Sequence, residues 1–283
     1  MSEGTIRACF VPRPGHVFAV ADYNALELHT LAQACVTLLG KSELANALNK
    51  GIDPHTVVAA NILNITYDEA KAMKDSTHER HGEFTNARQT AKVANFGIPG
   101  GLGAAKLVMY ARKTYKVILT EREAYKLKDN FLRTWPEMHE YFAYVGNLCD
   151  AENPQIEQLF VERVRGGINY CAACNGFFQG LGADCAKEAM WQVARAQYAT
   201  PASPLYGSRT AAFVHDELLV ETKDDPTAHD VATELSRVMV SAASKYLPDV
   251  KPKAEAYLMR YWSKSAQPIY DENKRLVPWP SLT

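Results

Sequence analysis

Apolar residues recur along this chain in two rhythms. An unbroken apolar run, "VFAVAD" (17–22), predicts a buried strand. It leads straight into "ALELHTLAQACVTLL" (25–39), whose apolar positions follow a helical period. Helical patterns then dominate. In "DPHTVVAANIL", Asp53 caps a helix and Pro54 stands in its first turn. "YDEAKAMKDSTHERH" (67–81) is polar throughout and predicts an exposed helix or loop, whereas "NARQTAKVANFG" (86–97) is helical until Gly97 and Pro99 stop it. "TEREAYKLKDNFLRTW" (120–135) opens with a capping box, Thr120 with Glu123, and "PEMHEYFAYVGNLC" starts a further helix at Pro136.

Beyond these come a short extended piece, "QLFVERV", and a helix over about 172–198. Two apolar strands flank His215 and Asp216, followed by a helix at 228–247 and a late strand at 253–262. No internal repeat or low-complexity linker interrupts the pattern. Strands at both ends with helices between them predict an α+β domain interrupted by a helical insertion. At 283 residues, 47% of them hydrophobic, the chain is long enough for more than one lobe.

Composition narrows the function classes. No apolar run reaches the roughly 18 residues of a membrane span, and "MSEGTIRACF" lacks the pattern of a secretory signal. Six cysteines in such a chain read as reduced thiols of a cytosolic protein. Cys171 and Cys174 have the spacing of half a zinc site, but no second pair follows. With Cys185 they share roughly one helix face, which favours buried thiols over metal ligands. A net charge of −1 argues against gripping nucleic acid through overall basicity, while leaving a local basic cleft open. The basic clusters at 111–116 and 259–265 read as solvated faces.

The chemistry gathers at "FVHDELLV". Two apolar strands joined at His215-Asp216 make a hairpin with its acids exposed at the tip, and "VFAVAD" delivers a further acid, Asp22, at a strand end. If those strands are neighbours, Asp22 and Asp216 converge. Two carboxylates about 4 Å apart repel by roughly 4 kcal/mol at an effective dielectric near 20, so they call for cations. Paired Mg²⁺ ions, with oxygen ligands, suit an in-line phosphoryl displacement. A solvated turn beside an unrelated strand end fits the same spacing. In "RQTAKVANFG", Arg88, Lys92 and Phe96 stand at i, i+4 and i+8, so one helix face offers two cations and an aromatic ring. Such a face suits a triphosphate and a base or sugar, though an amphipathic surface helix has the same pattern. "GIPGGLG" lacks the Gly-Lys-Ser/Thr of a phosphate loop.

"DYNALELHTLA" (22–32), "RQTAKVANFG" (88–97) and "VHDELLVE" (214–221) resemble motifs A, B and C of the family A DNA polymerases, the bacterial DNA polymerase I group. "DPHT", "FLRTWPEMHEYF" and "NGFFQGLGADCAKEAM" extend the resemblance over nearly the whole chain. It implies a palm, an antiparallel sheet flanked by helices, in two parts at 1–40 and 170–283, with mostly helical fingers at 41–169. It also implies template-directed 5′→3′ addition of deoxynucleotides to a DNA primer. By the same resemblance Asp22 and Asp216, with the backbone carbonyl of Tyr23, hold two Mg²⁺ ions. Glu217 is a supporting carboxylate and His215 positions the primer terminus. Arg88, Lys92 and His55 contact the triphosphate, with Lys92 donating a proton to pyrophosphate. Phe96 packs on the incoming nucleotide, Glu27 closes off the sugar 2′ side, and Asn175 and Gln179 face the primer-template minor groove.

The departures from that pattern are as specific. Gly100 stands where the family has a tyrosine after motif B, Ala25 where it has glutamine, and His29 and Cys171 where it has arginines. The chain opens about twenty residues before motif A, so thumb and exonuclease segments are expected to be absent and a second polypeptide to supply the thumb and an exonuclease element. The expected setting is the cytoplasm of a bacterial or phage-infected cell. Two rival readings are a fragment of a phage-type RNA polymerase, which normally lacks a glutamate at the Glu27 position, and a non-catalytic polymerase-derived DNA-binding subunit, which would have lost a metal carboxylate.

Overall fold

The computed structural model describes residues 6–280. In chain order the elements are β1 (His16–Tyr23), α1 (Leu26–Leu39), α2 (Glu43–Asn49), α3 (Pro54–Leu63), α4 (Tyr67–Ala72), α5 (His81–Gly97) and α6 (Ala104–Tyr110). A π-helical turn (Ala111–Tyr115), α7 (Glu121–Thr134), α8 (Glu137–Cys149), β2 (Gln155–Glu157), β3 (Val164–Gly166) and α9 (Tyr170–Ala199) follow. The chain ends with β4 (Arg209–Val214), β5 (Glu217–Lys223), α10 (Ala228–Ser244), β6 (Ala254–Met259), β7 (Ile269–Tyr270) and β8 (Leu276–Val277). Two compact units divide it: residues 1–26, 183–246 and 252–283 form one, and residues 27–182 and 247–251 the other. No helix among the described residues is long and apolar enough to cross a membrane.

The first unit is built on an antiparallel sheet in the order β4-β5-β1-β6. β1 is central and covered on both faces, which is why its sequence is an apolar run without alternation: Val17, Phe18, Ala19, Val20 and Ala21 are all buried. One cluster on this sheet joins Phe18 and Val20 to Leu219, Met259 and Trp262. Helix α10 packs against β1 and β6 with Val231, Leu235, Val238, Met239 and Ala242, a stripe of helical period. The register that results sets Asp22 opposite Glu217 on β5 and Glu255 on β6.

The second unit is helical. Its core runs through Leu31, Val58, Phe84, Leu107, Phe131, Met138, Tyr141 and Phe177. The capping box at Thr120 forms as its sequence requires, and the Asp53 side chain accepts from the His55 N–H to start α3. Helix α5 begins before the predicted 86, at His81, and runs to Gly97. A Cβ at Gly97 would lie 2.8 Å from Leu107 and 3.0 Å from Tyr110, so this glycine lets α5 and α6 close together.

One prediction is overturned here. "QLFVERV" (158–164) is not an extended piece: β2 precedes it at 155–157, β3 begins only at its last residue, Val164, and a turn occupies the middle. Phe160 and Glu162 take φ values of 67° and 53°, and Phe160 is exposed. The buried group is polar instead, since Gln158 donates to the Phe177 carbonyl at 2.9 Å. No disulfide forms among the described residues, and Cys35, Cys174 and Cys185 are buried.

Candidate active site

Asp22 lies near the end of β1, beside the hairpin that joins β4 to β5. The two-residue tip is formed by His215 and Asp216, with His215 held at φ 59°, a left-handed conformation that costs a residue with a Cβ. His215 is exposed, as expected at a tip, but Asp216 and Glu217 are half-buried because the hairpin folds down beside β1. The Tyr23 N–H reaches the Asp216 carbonyl at 3.4 Å, and the Tyr23 hydroxyl donates to the Met239 carbonyl at 2.6 Å. The hairpin and the end of β1 are thereby fixed to each other.

The carboxyl groups of the two aspartates interact directly with each other. Burial, and then the charges of Asp216 and Glu217, push the Asp22 carboxyl up to about 7. Burial raises Asp216 as well. Asp22 Oδ1 is buried with no hydrogen-bond partner, a position that an oxygen-liganded cation would satisfy. A cleft of about 430 Å³ opens here, lined by Arg7, Asp22, His215, Asp216, Tyr257 and Lys264 among others.

Glu217 is differently placed. Arg7 Nη1 donates to its Oε2 at 2.9 Å and Trp262 Nε1 to its Oε1 at 2.7 Å, and the Arg7 guanidinium lies 3.9 Å above the Trp262 ring. Both oxygens are thus engaged. Neither Arg7 nor Trp262 was legible as a partner in the sequence, since they lie 210 residues before and 45 residues after the glutamate.

In the second unit Arg88, Lys92 and Phe96 rise along one face of α5, all half-buried. His55, near the start of α3, meets this face: its ring lies 5.1 Å from that of Phe96. Trp135 Nε1, a donor only, gives its proton to Asn95 Oδ1 at 3.3 Å, which orients the amide. Asn95 Nδ2 then donates to His55 Nδ1 at 3.0 Å, leaving the imidazole proton on Nε2. Burial lowers the His55 pKa to about 4; Asp53 partly opposes the shift, and Arg88, Lys92 and Lys74 add to it. His55 is therefore a neutral N–H donor at pH 7. Lys92 is also pulled below its ordinary value, by burial and then by Arg88.

The other sequence candidates are separate from these clusters. Glu27 is exposed in the first turn of α1. Burial raises Tyr110 and Tyr115 first, and the charge of Glu27 adds to both shifts; the interaction between the two phenols raises Tyr115 and opposes the rise of Tyr110. Asn175 donates to the Cys171 carbonyl at 2.8 Å and the Gly100 carbonyl at 3.3 Å. A Cβ at Gly100 would lie 2.8 Å from that amide, so a larger residue there would displace the Asn175 side chain from its present position. Gln179 is exposed beside the 155–166 hairpin, in a groove with Arg163 and Arg165.

The family model for DNA polymerase family A matches residues 2–264. The chain belongs to DNA polymerase family A. Among similar proteins, DNA polymerase I of Aquifex aeolicus is 26% identical over 259 residues, 92% of this chain and 41% of that protein. DNA polymerase I of Chloroflexus aurantiacus is 28% identical over 86% of this chain and 24% of its own length. The thermostable DNA polymerase I of Thermus filiformis is 27% identical over 93% of this chain and 29% of its own. The fold matches the POL domain of Pol1 from M. smegmatis, solved with DNA primer-template and dNTP, with a TM-score of 0.67 at 23% identity over 91% of this chain and 42% of that one. The chain therefore spans less than half the length of these relatives.

Family A DNA polymerases use divalent metal. Among the described residues no group of three or more His, Cys, Asp or Glu side chains is disposed to hold an ion. Mg²⁺ keeps several waters and binds through one or two carboxylates plus substrate phosphates. The residues present fit such an ion: two hard carboxylates, charge repulsion to relieve and a buried, partnerless Oδ1.

Proposed function

We propose that this chain is the palm and fingers of a DNA-directed DNA polymerase, the unit with the sheet being the palm and the helical unit the fingers. It extends a DNA primer 5′→3′ by nucleotidyl transfer. The observation that carries this reading is the Asp22–Asp216 pair of a family A chain, one carboxyl at the end of β1 and the other at the tip of the adjoining hairpin, with one carboxylate oxygen left buried and unpartnered. The primer 3′ oxygen attacks the α-phosphorus of a deoxynucleoside triphosphate, a new P–O ester bond forms, and the bond to the pyrophosphate oxygen breaks. Asp22 and Asp216, with the Tyr23 carbonyl, would hold two Mg²⁺ ions, which when bound supply positive charge to the transferring phosphoryl group and acidify the attacking hydroxyl.

The remaining roles fall to the chain's own side chains. Arg88 and Lys92 bind the triphosphate, and neutral His55 offers its Nε2–H to a phosphate oxygen. Lys92, with its pKa lowered, is suited to protonate the leaving pyrophosphate. Phe96 stacks on the incoming nucleotide and Glu27 excludes a 2′-hydroxyl. Asn175 and Gln179 meet the primer-template, and His215 the primer end. Glu217, with both oxygens engaged, supports the hairpin from behind. A second polypeptide supplying thumb contacts and, by the same reading, an exonuclease element is part of this proposal. It is supported by the exposed apolar strip of Ile6, Phe10 and Val11. The setting proposed is the cytoplasm.

Primer extension in Mg²⁺ tests the reading. Asp22→Asn and Asp216→Asn should each remove nearly all nucleotide addition while circular dichroism stays native. Retention of about a tenth of wild-type activity by either variant would exclude the two-metal assignment.

A further inference from the structure

The polar stretch between α4 and α5 reads in the sequence only as an exposed helix or loop. In the structure it has a fixed base. Met73 is buried, and His81 Nδ1 donates to its carbonyl at 3.0 Å. Just beyond, the Asp75 carboxylate accepts from Thr77 N–H and hydroxyl, closing a tight turn. Lys74 projects from between these two anchors. Its Nζ lies 3.0 Å from Asp53 Oδ2, the oxygen that also accepts from Arg88 Nη2 at 3.1 Å and Thr56 Oγ1 at 2.8 Å.

Asp53 is therefore more than a helix cap. One of its oxygens gathers two cations that come from different segments, and Lys92 stands one turn beyond Arg88 on the same face. Lys74, Arg88 and Lys92 outnumber the single carboxylate, which leaves an excess positive charge beside the neutral His55 donor. The side chains of Lys74 and Arg88 remain 39% and 32% accessible, so an incoming anion can reach them. A carboxylate oxygen taking charge-assisted bonds from lysine and arginine presents the same acceptor chemistry as a phosphate oxygen.

We propose that Lys74 is a third cation of the triphosphate site, held with Arg88 on Asp53 Oδ2 until phosphate oxygens take both donors over. This rests on the reading that Arg88 and Lys92 bind the nucleotide triphosphate. The competing view is a structural staple, in which Lys74 merely ties its loop to the start of α3. That view predicts a loss of thermal stability on substitution and no change in anion affinity.

The test is calorimetric titration of the full chain with inorganic tripolyphosphate at low and moderate salt, followed by steady-state extension. Lys74→Met should weaken tripolyphosphate binding about ten-fold, the loss of one charge-assisted hydrogen bond, and flatten its salt dependence. Lys74→Arg should stay within about three-fold of wild type. Asp53→Asn, which keeps an acceptor but sheds the competing charge, should tighten binding. In extension, Lys74→Met should raise the KM for the nucleotide with kcat little changed, the signature of lost uniform binding. If Arg88→Met weakens binding and Lys74→Met does not, the role of Lys74 is overturned while the triphosphate reading stands. If neither variant changes affinity, both fall.

Discussion

Removing the Asp22 charge should stabilise this protein in metal-free buffer. Ionising a carboxyl whose pKa has risen from 3.8 to about 7 costs about 4 kcal/mol at 1.36 kcal/mol per pH unit. Asp22 is only half-buried, and solvent screening leaves roughly 2 kcal/mol of that. Asp22→Asn keeps the shape, sheds the charge and offers an amide N–H to Asp216, so it should recover most of this amount. At about 2–4 °C per kcal/mol for a protein near this size, the melting temperature should rise by about 5 °C in EDTA at pH 8.5.

The pH dependence supplies the sharper check. A carboxyl whose folded pKa is raised gives stability that is fully present below its unfolded pKa, 3.8, and lost as pH rises through about 7. Wild type therefore regains ground on acidification, and the advantage of Asp22→Asn should fall to roughly half or less by pH 5. In millimolar Mg²⁺ the order should reverse, since only wild type gains from metal binding. The assay is differential scanning fluorimetry across that pH range with and without metal. An Asp22→Asn protein that is no more stable in EDTA at pH 8.5, or whose advantage does not shrink on acidification, would refute the reasoning.

Other residues give further expectations. The depressed His55 pKa means stability present above pH 6.5 and lost as pH falls towards 4, worth roughly 3 kcal/mol, so His55→Gln should flatten the acid limb of the wild-type denaturation profile. Arg7→Met and Trp262→Phe each take one donor from Glu217; both should lower kcat several-fold with nucleotide KM unchanged, and unchanged kcat in both would make the tether purely structural. Glu27→Ala should raise ribonucleotide use, and Phe96→Tyr should raise dideoxynucleotide termination, in single-nucleotide extension with competing substrates. No shift in either ratio would mean the motif register is wrong.

How far the sequence carries depends on whether a feature is local. The strand ending in Asp22 and the hairpin at Asp216 are written in continuous apolar runs that stop at charged residues, and the antiparallel pairing of β1 with β5 brings them together. The cationic face of α5 follows from a four-residue spacing within one helix. The Glu217 tether joins segments more than two hundred residues apart, and nothing near Arg7 announces its partner. Asp53 was legible as a cap because capping is local, but its role as counter-ion to Lys74 and Arg88 is tertiary. "QLFVERV" misled because apolar Leu, Phe and Val suggest a strand. The segment instead anchors itself by a buried glutamine and exposes its phenylalanine. Gly100 shows the same limit: its departure from the family tyrosine is visible in sequence, whereas its neighbour, an asparagine amide 2.8 Å from where a Cβ would sit, is not.

Each unit, considered separately, holds an excess of one sign of charge on an internal stand-in. In the unit with the sheet, two aspartates that repel as ions are held side by side, with one oxygen unpartnered. In the helical unit, Lys74 and Arg88 crowd one carboxylate oxygen while Lys92 faces Arg88 at a lowered pKa. Neither arrangement is what stability alone favours, since neutral or evenly paired groups would cost less to bury. Perturbed groups of this kind are characteristic of sites kept ready for a ligand. On the proposed reading the first excess is one that a hard cation would relieve, and the second one that phosphate oxygens would relieve.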